Sequence, residues 1–165
     1  MKNSFIALAM ALLSCAPLMA QEAPEAPVMA TALADSGITY LTAARPAANA
    51  RFYVYLSSAS WCPPCRAIMP KVVAQYPEIK AAGGEVILLC FDATPQAGQA
   101  YLKKYSASFP AIMCNAQTVH AMESKLPGFN APRGIPNAIF VTPDGKAIHK
   151  GHGSTVLEWR TITAR

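Results

Sequence analysis

No aspartate or glutamate lies between Tyr40 and Trp61, a stretch that leads directly into a cysteine pair. A proton acceptor for those thiols therefore has to be water or a group from elsewhere in the fold. Beyond residue 20 no apolar run approaches the ~20 residues of a membrane-crossing helix, so membrane attachment would have to be through lipid. Basic residues exceed acidic ones, giving a formal net charge of +5, yet Lys71, Lys80, Lys103, Lys104, Arg133 and Lys150 are dispersed. With no dense basic run interleaved with aromatics, the excess reads as a solvated surface and nucleic acid is not implied. No internal repeat is present. A second ligand pair for a metal is also missing: Cys90 and Cys114 stand alone in apolar runs. His149-Lys150-Gly151-His152 has the wrong spacing for the usual structural zinc sites.

What is present is Trp61-Cys62-Pro63-Pro64-Cys65-Arg66, set between the apolar run Phe52-Tyr53-Val54-Tyr55-Leu56 and a helix expected over Arg66–Ala82. A C-x-x-C pair at the junction of a strand and a helix is a dithiol that can open and close as a disulfide. Its first cysteine would stand at the helix N-terminus, where unpaired backbone N–H groups and the helix dipole favour negative charge. That lowers the thiol pKa below its free value of about 8.5 and supplies a thiolate near neutral pH. The second cysteine lies one turn in. A bare C-x-x-C is alternatively half of a zinc site. Pro63 and Pro64 favour the redox reading, because they stiffen the loop and remove backbone donors that would bond metal-bound sulfurs.

The N-terminus points to a compartment. Lys2 is a minimal positive region, Phe5–Leu13 is apolar but too short to span a bilayer, and small residues follow. Residues 1–20 read as an export signal cleaved at Ala20-Gln21, although Leu18 sits where a small residue is preferred. A rival reading takes Leu12-Leu13-Ser14-Cys15 as a bacterial lipobox, with the protein lipid-anchored through Cys15. Both readings place the chain outside the cytosol, periplasmic or secreted. Residues 21–34, headed by Glu22-Ala23-Pro24-Glu25-Ala26-Pro27, read as an Ala/Pro/Glu-rich linker. The remaining 35–165 suit one domain with a single core, and an apolar fraction of 53% fits a compact α/β unit.

Periodicity and turn residues give alternating elements. Ser36–Ala44 is a short helix or a loop-rich lead-in. Phe52–Ser57 is a buried strand, and Gly83-Gly84 stops the helix that follows the cysteines. Glu85–Phe91 is a continuous apolar run, as in a central strand covered on both faces. Pro95–Tyr105 and Gln117–Lys125 read as helices and Pro110–Cys114 as a short strand. Asn137–Val141 and Lys146–Lys150 flank Pro143-Asp144-Gly145 as a hairpin. Thr155 and Glu158 have capping-box spacing and open a last helix through Trp159.

From about Arg51 to the C-terminus the chain resembles the thioredoxin superfamily. The stretch Ser58-Ala59-Ser60-Trp61-Cys62-Pro63-Pro64-Cys65-Arg66 is most similar to the tryparedoxin and nucleoredoxin branch. The chain is also similar to exported thioredoxin-like proteins of bacterial cytochrome maturation. Pro70 matches a helix-kinking proline of the family, Gly134-Ile135-Pro136 its cis-proline segment, and Gly153 a glycine kept beside the active site. The resemblance implies a thioredoxin fold: a central mixed sheet flanked by helices, ending in a β-hairpin and a helix. It implies that Cys62 attacks, Cys65 resolves, Trp61 shields the sulfur, and the Ile135 backbone pairs with an extended substrate beside Pro136. An ordinary proline at the start of a strand is the plainer reading of Pro136. No cofactor and no metal is implied. The implied partners are protein disulfides or dithiols, with a membrane electron donor to recharge a reductant outside the cytosol.

One departure stands out. Where thioredoxins carry a buried acid in the strand before the motif, this chain has Leu56. His152, just before Gly153, is a candidate to tune the dithiol; an exposed histidine at a strand end is the other reading. Cys90 reads as a buried inert thiol, and with Cys114 it would form a structural disulfide only if their Cα atoms lie within about 7 Å. Pro63-Pro64 adds no side-chain charge to stabilise a thiolate, which leans the pair toward a reductant. A partner-binding module of this fold and a copper- or zinc-handling protein are the competing functions. A peroxidase would need a lone peroxidatic cysteine in a different context.

Overall fold

The computed structural model of the chain describes residues 28–164. The expected signal, Cys15 and the head of the expected linker lie outside the described residues. Five strands form one mixed sheet in the order β3-β2-β1-β4-β5. They are β1 Phe52–Ser58, β2 Gly84–Cys90, β3 Ala111–Met113, β4 Asn137–Val141 and β5 Ala147–His152. Strands β1, β2 and β3 run parallel, while β4 is antiparallel to β1 and to β5. The expected architecture, a mixed sheet with helices on its faces and a C-terminal hairpin and helix, is the one observed.

All residues of β1 and β2 are buried, because helices cover both faces. Side-chain alternation divides the core in two. Val54, Leu56, Val86, Leu88 and Phe140 face α2 (Pro63–Ala81), α3 (Pro95–Lys104) and the C-terminal Trp159. Tyr53, Tyr55, Ile87, Leu89 and Ile112 face α1 (Val28–Leu33) and α4 (Val119–Lys125).

Helix α1 corrects the expected linker. Residues 28–33 do not lead in passively; Met29 and Leu33, four apart on one face, are buried in the second core. Burying two such side chains contributes up to roughly 3–6 kcal/mol, enough to hold a helix far too short to form alone. The Tyr55 hydroxyl bonds Met29 Sδ at 3.3 Å, tying α1 to the central strand.

Residues 36–44 form no helix. Tyr40 bridges Ile112 antiparallel, with Leu41 N–H on the Ala111 carbonyl (2.8 Å) and Met113 N–H on that of Thr39 (2.9 Å). This covers the outer edge of β3, whose bare N–H and C=O groups would otherwise invite pairing. Buried Glu85 accepts bonds from Lys80 Nζ (2.8 Å), Tyr76 Oη (2.7 Å) and Ala47 N–H (2.9 Å), fastening the same lead-in to the end of α2.

Two helix ends depart from expectation. Helix α2 starts at Pro63 rather than Arg66, since proline suits the first helical positions, where its missing N–H costs nothing. Thr155 and Glu158 make no capping box. A 3₁₀ turn, Gly153–Glu158, precedes α5 (Trp159–Thr163), and Glu158 forms no side-chain cap. Thr155 Oγ1 instead donates back to the His152 carbonyl at 2.8 Å, which withdraws it from capping.

Candidate active site

Strand β1 ends at Ser58 and α2 begins at Pro63, so the intervening turn delivers Cys62 to the helix N-cap with extended dihedrals, φ −87° and ψ 111°. Cys62 and Cys65 are disulfide-bonded, with Cα atoms 5.2 Å apart. Of the first backbone donors of α2, Pro63 and Pro64 have none, and Arg66 N–H bonds the Cys62 carbonyl at 3.1 Å. That leaves Cys65 N–H, which points at Cys62 Sγ from 3.3 Å. When the disulfide opens, this donor and the helix dipole favour charge on Cys62 rather than on Cys65, which lies deeper and fully buried. Backbone geometry alone thus distinguishes the two sulfurs, with no charged side chain between them.

Of the other expected residues, the fold brings Ile135 against this pair and Gly153 against Pro136. Ile135–Pro136 is a cis peptide, and the Ile135 carbonyl lies 3.6 Å from Cys62 Sγ. Ile135 packs against Ala59, Cys62 and Cys65. Gly153 N–H bonds the Pro136 carbonyl at 3.0 Å, and a Cβ there would meet the Pro136 ring at 2.5 Å. Trp61 stands 61% exposed, its Nε1–H held on the Phe91 carbonyl at 3.2 Å. So large an exposed aromatic beside the sulfurs is available to a substrate. His152 is exposed and turned to another task. Its Nδ1 accepts the Ser154 N–H at 3.2 Å and pairs with Ser154 Oγ at 2.9 Å, capping the 3₁₀ turn. No hydrogen bond among the described residues links it to either sulfur.

A residue the sequence reading did not single out underlies the loop. Leu56 is apolar and buried, but Asp92 is only 1% exposed and accepts bonds from Ser60 N–H (3.2 Å), Ser60 Oγ–H (2.5 Å) and Cys90 Sγ–H (3.2 Å). Its signal was register: Ser58 pairs with Cys90 across β1 and β2, so Ser60 and Asp92, each two residues on, leave the sheet side by side. Arg66 Nη1 bonds the Ser60 carbonyl at 2.9 Å and closes this cluster onto α2.

Cys90 and Cys114 are both free and buried. They face opposite sides of the sheet, Cys90 with α2 and α3 and Cys114 with α1 and α4, so no disulfide joins them. Burial pushes both thiols up to about 12. Among the described residues no group of three or more His, Cys, Asp and Glu is placed to hold a metal ion.

Comparison with known proteins agrees with this geometry. The sequence model of the AhpC/TSA family matches residues 21–150. The thiol-disulfide oxidoreductase ResA of Bacillus cereus is 29% identical over 99 residues, 60% of this chain and 53% of ResA. Human nucleoredoxin is 33% identical over 93 residues, 55% of this chain and 20% of its own. The chain thus spans about half the length of the ResA relatives it matches. Among solved structures, tryparedoxin II of C. fasciculata superposes with a TM-score of 0.61 at 22% identity, covering 85% of this chain and 93% of that one. The thioredoxin fold expected from the motif is therefore the fold of the chain.

Proposed function

This chain belongs to the AhpC/TSA family, and from that premise we propose that it is a thiol–disulfide oxidoreductase whose Cys62–Cys65 pair reduces protein disulfides. In the reduced protein the Cys62 thiolate attacks a substrate disulfide. A Cys62–substrate bond forms, the substrate S–S bond breaks, and one substrate sulfur leaves as thiolate. Cys65 then gives up its proton and attacks Cys62 Sγ, releasing the second substrate thiolate and closing Cys62–Cys65. The substrate gains two electrons and, from water or a nearby acid, two protons; the protein loses two electrons. Trp61 and the Ile135 backbone flank the path by which an extended substrate reaches Cys62.

The observation that carries this reading is the lone Cys65 N–H aimed at Cys62 Sγ from a helix whose first two residues are prolines. One donor and a helix dipole stabilise a thiolate moderately, which favours a reductant over a strong oxidant. ResA, to which the chain is similar, carries the name thiol-disulfide oxidoreductase. The N-terminal pattern supports export, with residues 1–20 as the signal or Cys15 as a lipid anchor. No helix among the described residues is long and apolar enough to cross a membrane. Work outside the cytosol calls for a membrane electron donor that recharges the pair.

The test is turnover of a protein disulfide by the reduced chain under a regenerating thiol. The expected result is catalysis lost in Cys62→Ser. Substrate binding that survives in Cys62→Ser, with no turnover in the unaltered chain, would identify a binding module instead.

A further inference from the structure

The carboxylate of Asp92 sits under the redox loop with no ion-pair partner among the described residues. A buried charge is retained only where hydrogen bonds compensate its lost hydration, and here the donors are all neutral: Ser60 N–H, Ser60 Oγ–H and Cys90 Sγ–H. Two of the three come from Ser60, two residues before Cys62. The neighbouring Trp61 Nε1–H bonds the Phe91 carbonyl. Residues 60–61 are thereby stitched to residues 91–92. The remaining groups around the cluster are Tyr101, whose hydroxyl lies 3.1 Å from Ser58 Oγ on its α3 side, and Arg66, which reaches the Ser60 carbonyl from α2. Arg66 does not contact the carboxylate by hydrogen bond.

We propose that Asp92 is a positioning residue of the redox site: through Ser60 it fixes Trp61 and Cys62, and its buried charge makes the Cys62–Cys65 pair a stronger reductant. This rests on the thiol–disulfide reading above. Opening the disulfide takes two electrons and one proton, leaving Cys65 as thiol and Cys62 as thiolate. That thiolate is a second negative charge at the same end of the sheet, ~7 Å or less of chain from Ser60. Between buried groups such repulsion is little screened by salt. It disfavours the reduced form relative to the disulfide, which is a lower reduction potential. Burial, with Asp92 among the lesser causes, also raises the Tyr101 hydroxyl to about 12 and the Cys90 thiol to about 12, so neither neighbour supplies a competing negative charge near neutral pH.

The experiment is the glutathione equilibrium of the full chain and of Asp92→Asn, which keeps the shape and a carbonyl acceptor for Ser60 but removes the charge. The expected result is an equilibrium shifted about tenfold toward the dithiol in Asp92→Asn, equivalent to about 30 mV, with the Cys62 thiol ionising at lower pH. A second measurement compares the same two chains without redox equilibration: the iodoacetamide rate of reduced Cys62, followed against pH, is expected to reach its half-maximum at lower pH in Asp92→Asn. An unaltered chain that cycles normally, with equal equilibrium constants or superimposable alkylation profiles in Asp92→Asn, overturns the inference and leaves the redox reading intact. A chain that does not cycle at all overturns the redox reading itself.

Discussion

Gly153 and Pro136 touch so closely that only hydrogen fits between them: a Cβ on Gly153 would stand 2.5 Å from the Pro136 Cβ and 2.8 Å from Ile68 Cδ1. The first neighbour is a rigid ring that does not yield, whereas the second is the far end of a half-buried side chain on α2 that can swing aside. Gly153→Ala is expected to cost ~1–3 kcal/mol by overpacking and to slow disulfide reduction, because Pro136 carries the Ile135 carbonyl beside Cys62 Sγ. Gly134→Ala is the control, since its Cβ would meet nothing within 4 Å. Urea denaturation of the two variants checks the difference; equal stability would contradict the packing argument.

The two cysteines of the pair are expected to fail differently. Cys62→Ser removes the nucleophile and abolishes turnover. Cys65→Ser leaves Cys62 to attack but not to be released, so a Cys62–substrate mixed disulfide accumulates. Mass spectrometry of the trapped species identifies which sulfur is bonded, and a substrate held on Cys65 in Cys62→Ser with normal kinetics would reverse the assignment.

Cys90 and Cys114 are expected to resist iodoacetamide in the reduced folded chain near neutral pH, while Cys62 reacts. Both thiols are buried and pushed up to about 12, so almost no thiolate is present. The unfolded chain releases those protons near the ordinary thiol value of 9.0, whereas the folded chain keeps them. Stability therefore falls as pH rises above about 9, by up to ~1.4 kcal/mol per pH unit for each thiol. Denaturation midpoints at pH 8 and pH 10 test this, and Cys90→Ala/Cys114→Ala is expected to flatten the loss.

Glu85 is buried as deeply as Asp92 but far from the sulfurs, at the start of β2 rather than past its end. Glu85→Ala strands the Tyr76 hydroxyl and the Ala47 N–H and is expected to cost ~2–4 kcal/mol. The glutathione equilibrium of the variant should not move. A shifted potential in Glu85→Ala would show that stability loss alone perturbs the dithiol.

Much of this architecture could be read from the residues. The runs of β1, β2 and β4 are apolar enough to announce central strands, and Trp61-Cys62-Pro63-Pro64-Cys65 at a strand–helix junction located the reactive pair. Helix α1 was hidden because Val28–Leu33 is short and rich in small residues; only Met29 and Leu33 carry its buried face, too few to show a period. Asp92 was hidden for another reason. Thirty-two residues separate it from Ser60, and nothing local marks it until β1 and β2 pair in parallel register. His152 was legible as a residue near the site, but its bond to Ser154 depends on the 3₁₀ turn, which no periodicity foretold. The opposite faces of Cys90 and Cys114 follow from strand alternation once the order of the sheet is known.

The most direct test of the central claim is a redox titration of the whole chain against glutathione, scored by alkylation and mass. Cys62 and Cys65 are expected to oxidise together in one two-electron step, with a potential nearer about −270 mV than about −120 mV. Two thiols that change state independently, or never change, would contradict the claim that this pair is a redox centre; a potential near about −120 mV would contradict its assignment as a reductant.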